Sequence, residues 1–140
     1  MIHLDRRYLQ VMMEAGYVYL GMRRFKEARE VFEGLAVLAP ESDVPHVAVG
    51  NVDFCENKID KAIKRYEQAL KLDPNSLFAK VYLGEALVFA GKKDEGIKIL
   101  QEIKRADKGG AGEFATALLD AVKEGFEPPA QKGKKGGKKK

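Results

Sequence analysis

The sequence predicts an all-α fold, an α-solenoid of three helical hairpins closed by a C-terminal capping helix. Three observations carry that expectation. The stretch Asp60 to Asn75, DKAIKRYEQALKLDPN, sets small, aromatic, small and proline residues at Ala62, Tyr66, Ala69 and Pro74. A weaker copy lies thirty-four residues upstream at Ala28, Phe32, Leu35 and Pro40, and a worn third follows at Gly96, Leu100, Ile103 and Lys108. A period of that length, built from paired helical segments, marks hairpins that each bury a face against the next. Glycine also recurs at one place in every period, at Gly16, Gly50 and Gly84. Behind the last period comes an amphipathic segment, Glu113 to Glu124, suited to cover the final hairpin.

This pattern resembles the tetratricopeptide repeat. Taking Pro40 and Pro74 as repeat position 32 sets the repeats at residues 9–42, 43–76 and 77–110, each a helix A followed by a helix B. The resemblance implies a bulky residue at position 4, a large apolar one at 7, a small one at 8 and a large one at 11. The first repeat supplies Met12, Ala15, Gly16 and Tyr19; the second His46, Val49, Gly50 and Asp53; the third Lys80, Leu83, Gly84 and Leu87. The glycine is expected where helices A and B cross too closely for a side chain. Tyr8 is expected to begin the first helix. Asn57 and Gly91, at equivalent places, can end helix A in the left-handed conformation, a residue choice from which Arg23 departs. Asp60 and Asp94 favour the N-terminus of helix B by capping or through the helix dipole, and Pro40 and Pro74 stop helix B. The third repeat replaces that proline with Lys108-Gly-Gly-Ala-Gly112, expected as a loose turn. In the cap, Phe114, Leu118 and Val122 recur every four residues with Ala117 and Ala121 beside them, while Thr116, Asp120 and Lys123 face away. The domain is expected over residues 1–126, with the capping helix at 111–125 and a disordered lysine-rich tail at 127–140.

A chain of 140 residues with 45% apolar content reads as one globular domain. Its +4 charge is uneven: residues 127–140 hold six lysines and one glutamate, leaving the first 126 residues at −1. A basic overall balance therefore says nothing of a basic surface on the folded part. The single cysteine, Cys55, excludes an internal disulfide, and no apolar run has the form of a signal peptide or the length of a membrane span. A cytoplasmic protein is the expectation. His3 and His46 lack partners at a metal-ligand spacing, Cys55 reads as a small hydrophobe, and no nucleophile has a neighbouring base. Gly109 to Gly112 precedes a helix but lacks the strand and the lysine-serine/threonine ending of a phosphate loop. No enzyme activity, metal or cofactor is predicted.

In tetratricopeptide domains positions 2, 5, 9, 12 and 13 of helix A, with 6 in part, line a concave groove. Here they place Met13, Tyr17 and Leu20 in the first repeat, beside Gln10. The second gives Val44, Val47, Asn51 and Phe54, with Ala48 and Cys55. The third gives Phe78, Tyr82, Glu85 and Phe89, with Val81 and Val88. Contiguous apolar surface of this kind marks a binding site, although the same residues could serve as core. Family members that hold the C-terminal carboxylate of heat-shock chaperones use a clamp of lysine, asparagine and arginine. Met13, Tyr17, Ala48, Phe78 and Tyr82 occupy those positions here, so a carboxylate would meet no cation.

The segments FKEAREVFEGLAVLAPES, VAVGNVDFCENKIDKAIKRYEQALKLDP and LGEALVFAGKKDEGIKIL together resemble the small tetratricopeptide chaperones of bacterial type III secretion. That resemblance implies a chaperone holding an apolar helix or extended segment of a client protein in the groove. Two branches fit, chaperones of pore-forming translocators and those that keep needle subunits monomeric. A homodimer through helix A of the first repeat is a further expected partner. The rival reading is a scaffold whose lysine tail contacts nucleic acid or an anionic surface, although no aromatic residue is interleaved there to stack on bases.

Overall fold

The computed structural model describes residues 5–129, and among them the chain forms seven helices and no strand. These are α1 (Arg6–Gly21), α2 (Phe25–Leu38), α3 (Val44–Cys55), α4 (Ile59–Leu72), α5 (Leu77–Phe89), α6 (Lys93–Ala106) and α7 (Gly110–Lys123). Each pairs with its neighbour in sequence, so α1–α2, α3–α4 and α5–α6 are hairpins stacked through α2–α3, α4–α5 and α6–α7. α3 also touches α1 and α5, and α5 touches α7. The odd-numbered helices therefore form one wall of the solenoid, as expected. None of the described helices is long and apolar enough to cross a membrane.

The recurring glycines are explained by the residue that sits on them. A Cβ on Gly16 would run into the ring of Phe32, one on Gly50 into Tyr66, and one on Gly84 into the end of Leu100. These partners share one repeat position, and all three are fully buried. The close crossing thus lets an aromatic or branched side chain of helix B lie flat against the backbone of helix A. The core follows as three linked clusters: Phe32 with Ala48, Val49 and Val52; Tyr66 with Ala79, Leu83 and Leu87; and Leu100 with Val81, Ala111 and Ala115.

Two ion-pair clusters tie the first repeat to the second. Arg29 of α2 reaches Asp53 of α3 at 2.8 Å and Glu56, the residue that caps the C-terminus of α3, at 2.6 Å. Asp53 stands where the repeat pattern calls for a large residue and is buried, so the guanidinium compensates a charge that would otherwise be stranded. Arg65 of α4 forks onto Glu33 of α2 at 2.7 and 2.9 Å, and its Nε donates to Nδ1 of His46 on α3 at 3.0 Å. His46, expected as a plain packing residue, is instead the buried acceptor of a three-helix network.

Several local expectations change. α1 begins at Arg6, two residues before Tyr8, because the Asp5 carboxylate accepts from the backbone N–H of Arg7 and caps it. Arg23 departs from glycine in identity but not in shape: its φ is 61°, beside 64° for Asn57 and 88° for Gly91. In all three turns the next residue's N–H closes back onto helix A, from Arg24 to Tyr19, Lys58 to Asp53 and Lys92 to Leu87. α2, α4 and α6 start without a side-chain cap, so Asp60 and Asp94, in the first turns, act through the dipole alone. The run 108–112 is not a loose turn. Gly110, Ala111 and Gly112 form the first turn of α7, where the Asp107 carboxylate accepts from the Gly112 N–H at 2.8 Å. A Cβ on Gly112 would collide with the Asp107 carbonyl. The cap's face is rotated as well: Ala111 and Ala115 are buried with Phe114, Leu118, Leu119 and Val122 around them, whereas Ala117 is exposed. The lysines of the tail, at 132 and beyond, and His3 lie outside the described residues.

Candidate functional site

Helix periodicity turns residues at three-four spacing to one side, and the three A helices repeat that spacing in phase. Gln10, Met13, Tyr17 and Leu20 share a face of α1; Val44, Val47, Asn51 and Phe54 a face of α3; Phe78, Tyr82, Glu85 and Phe89 a face of α5. The middle and C-terminal part of this surface is an aromatic wall. Phe54 meets Phe89 edge-on at 4.9 Å between ring centroids, and Tyr82 meets Phe114 of α7 at 5.6 Å. Phe78 lies 6.0 Å from Tyr82 and is 49% exposed. Tyr17, 40% exposed, leans on Phe32 at 4.9 Å. Edge and tilted contacts of this kind hold the rings in place while leaving part of each to solvent.

Not all of the predicted lining reaches this wall. Val47 is buried in the core against Tyr66 and Ala79, so it supports the groove from behind. Ala48, Val81 and Val88 are likewise core. Met13 and Val44 line a separate apolar cleft of about 460 Å³ at the N-terminal end, with Leu9, Gln10, Leu35 and Pro45. Leu20 is half-buried against the Phe32 cluster. Cys55, read as a small hydrophobe beside the groove lining, is exposed at the end of α3.

A polar row crosses the aromatic floor. Position 9 of the repeats holds Tyr17, Asn51 and Glu85. The Asn51 amide donates to the Tyr17 hydroxyl at 3.1 Å, and the Tyr66 hydroxyl donates to the Asn51 carbonyl at 2.6 Å. Burial pushes the Tyr66 phenol far above its ordinary value, so it remains a donor. Glu85 differs from its two equivalents. Among the described residues no cation or hydrogen-bond donor reaches its carboxylate, and burial raises the carboxyl to about 7.

Two contributors escaped the sequence reading. Tyr66 marks the repeat pattern by its spacing, yet its hydroxyl also reaches Asn51 on the groove floor; the signal is tyrosine where the other repeats have Phe32 and Leu100. Phe126 falls at the junction of cap and tail. Gly125, with φ 99°, ends α7, the Phe126 N–H returns to the Ala121 carbonyl at 2.9 Å, and the ring lands on Phe89 at 5.8 Å. The glycine after the amphipathic run was the available sign. A Lys93–Glu127 pair at 3.6 Å fixes the following residue.

Outside the groove, Tyr8, Val11, Val18 and Met22 form an exposed apolar stripe on α1, each at least 48% accessible.

Residues 56–121 match the tetratricopeptide repeat family model. No curated protein sequence matches the chain. Among solved structures, the fold resembles the translocator chaperone SycD of Yersinia enterocolitica in an alternative dimer, at TM-score 0.73 and 20% identity over 88% of this chain and 97% of that one. PcrH from Pseudomonas aeruginosa, in complex with the chaperone-binding region of PopD, superposes at TM-score 0.69 and 17% identity over 86% and 95%. The first tetratricopeptide domain of Spaghetti (RPAP3), bound to the HSP90 peptide SRMEEVD, gives TM-score 0.72 and 20% identity over 89% and 97%. Identities this low speak for architecture alone. The fold is therefore that of a tetratricopeptide-repeat protein, three hairpins and a capping helix, shared with the small secretion chaperones.

Proposed function

We propose that the chain is a non-enzymatic binding protein that holds an apolar helix or extended segment of a client in its concave groove and so prevents premature assembly. One observation carries this reading. Phe54, Tyr82 and Phe89 are only partly buried, touch one another or their neighbours in ordered pairs, and lie with exposed Phe78 and Tyr17 on the successive helices α1, α3 and α5. Pre-positioned aromatic side chains flanking a groove are what an apolar helix or strand docks against. The fold shared with PcrH, seen with a region of PopD, and with SycD, seen with a YopD peptide, supports a type III secretion-like chaperone role. The fold shared with the HSP90-peptide binder does not extend to a carboxylate clamp, because Met13, Tyr17, Ala48, Phe78 and Tyr82 offer no cation.

The test replaces Tyr82 and Phe89 together by glutamate. Each is an anchor of the kind worth about 2 kcal/mol, so client affinity should fall about a thousandfold while the helical circular dichroism is kept. Proteins co-purified from the native host with the parent chain, then titrated by calorimetry, supply the client. Equal affinity for parent and variant would remove the groove assignment.

A second copy of the chain is the partner that α1 fits. Its exposed apolar residues are Tyr8, Val11 and Val18, with Met22 at its C-cap and the half-buried Ala15 between them. An antiparallel α1 pair would set Val11 against Val18 and the two Ala15 methyls face to face at three-four spacing. Sedimentation should show a dimer that Val11→Glu with Val18→Glu converts to monomer; a parent chain that is monomeric at high micromolar concentration would exclude it.

A further inference from the structure

Among the described residues Glu85 is the one carboxylate set into the aromatic groove, and its surroundings leave it uncompensated. The groups that face it are the hydroxyls of Tyr66 from α4 and Tyr82 from α5 and the thiol of Cys55 from α3, none of them a cation. The equivalent residues of the other repeats satisfy each other through the Asn51–Tyr17 and Tyr66–Asn51 bonds. Glu85 has no such partner, although it sits between two anchoring rings, Tyr82 one turn before it and Phe89 one turn after. A partly buried carboxylate without a counter-charge destabilises the fold that carries it, and an apolar side chain there would pack as well. Its placement makes sense when the groove is occupied.

Resting on the client-binding reading above, we propose that Glu85 pairs with a lysine or arginine of the client, so the groove selects a segment with one basic residue flanked by apolar ones. The rings of Tyr82 and Phe89 take the apolar side chains and exclude water, which strengthens the ion pair between them. Asn51 and Tyr17 continue the polar row toward α1 and leave the Tyr17 hydroxyl hydrogen free to donate to a client carbonyl. Burial holds the empty carboxyl near neutrality, so an arriving ammonium or guanidinium draws the proton off. Affinity for a basic segment accordingly weakens as pH falls below about 7.

A random peptide library displayed on phage is selected on three immobilised full-length chains: parent, Glu85→Gln, and Tyr82→Glu with Phe89→Glu. The expected result is apolar peptides with one conserved lysine or arginine on the parent, apolar peptides without basic preference on Glu85→Gln, and no enrichment on the double variant. For a selected peptide, replacing its basic residue by norleucine should weaken binding about tenfold to the parent and less than about twofold to Glu85→Gln. Enrichment of apolar peptides with no basic residue on the parent would overturn the pairing and leave the groove reading standing. No enrichment on either the parent or a chain ending at Gln131 would overturn both. A chain ending at Gln131 is selected in parallel: basic peptides won only by that shorter chain would assign Glu85 to the protein's own lysines and overturn the pairing with a client.

Discussion

Gly50→Ala is the substitution on which the account of the repeat stands or falls. A methyl there would press into the Tyr66 ring, with the third-nearest ring atom at 3.1 Å and two others closer. The ring cannot yield, because it is fully buried and its hydroxyl is held by Asn51 at 2.6 Å. Overpacking a rigid core costs about 1–3 kcal/mol, here at the upper end, while alanine's better helix propensity returns about 1 kcal/mol. The net expectation is a loss of about 2 kcal/mol. At Gly84 the obstacles are Leu100 Cδ2 and Cγ at 3.0 Å and the Gly96 carbonyl at 3.3 Å, a looser fit than the ring at Gly50, so the same change should cost less there. Gly34, inside α2 with nothing within 4 Å, should gain about 0.5–1 kcal/mol as alanine. Urea unfolding followed by circular dichroism ranks the three variants. Should Gly50→Ala prove as stable as the parent, the recurring glycine would have to owe its place to something other than the ring lying on it.

Two further changes probe the ties between repeats. Arg29→Met strands the buried Asp53 carboxylate and should destabilise by about 3 kcal/mol in urea unfolding, while adding Asp53→Leu should recover most of that loss; a single variant as stable as the parent would show the pair to be ornamental. His46 is held below the ordinary imidazole value by burial and then by Arg65. At this site the native state therefore binds fewer protons than the unfolded chain, and in a Glu85→Gln background, which removes the opposing rise from a carboxyl raised to about 7, unfolding free energy should decline as pH falls below about 6.5. Glu33, lowered by its bond to Arg65, adds a further decline at more acid pH as it protonates. With His46→Gln added to that background the first decline should vanish and the second persist, measured as urea midpoint against pH.

The hairpins were legible because period, glycine and proline report packing that every repeat must satisfy. Ala28, Phe32, Ala62 and Tyr66 could be assigned to the core from spacing alone, since a helix can bury only one stripe against its neighbour. What stayed hidden depended on single contacts. Asp107 reaching over to cap the turn that begins α7 replaces a proline by a side-chain bond, and no periodicity announces it. Arg23 in a left-handed conformation shows the chain tolerating strain of about 1 kcal/mol at a turn whose closure the fold demands. Groove positions were harder still, because a repeat register says which way a residue points and not how much its neighbours cover it. Val47 points the expected way and is buried; Tyr66 points away and still delivers its hydroxyl to the floor.

The same distinction says where specificity can reside. Position 8 must stay small because position 24 lies on it, and position 24 must stay large to fill the space between hairpins, so neither is free to adapt to a client. Position 9, one residue beyond the glycine, has no such duty: it turns to the groove and carries Tyr17, Asn51 and Glu85 in successive repeats. The rigid pair behind it fixes the backbone from which it projects, so a change of side chain there alters the surface without moving the helix. On the client-binding reading proposed above, Asn51 is already engaged by Tyr17 and Tyr66, so the Tyr17 hydroxyl hydrogen and the Glu85 carboxylate, two repeats apart, are the polar groups that a bound segment has to match. The close crossing of glycine and ring, which carries no binding information itself, is what makes that pattern rigid enough to discriminate.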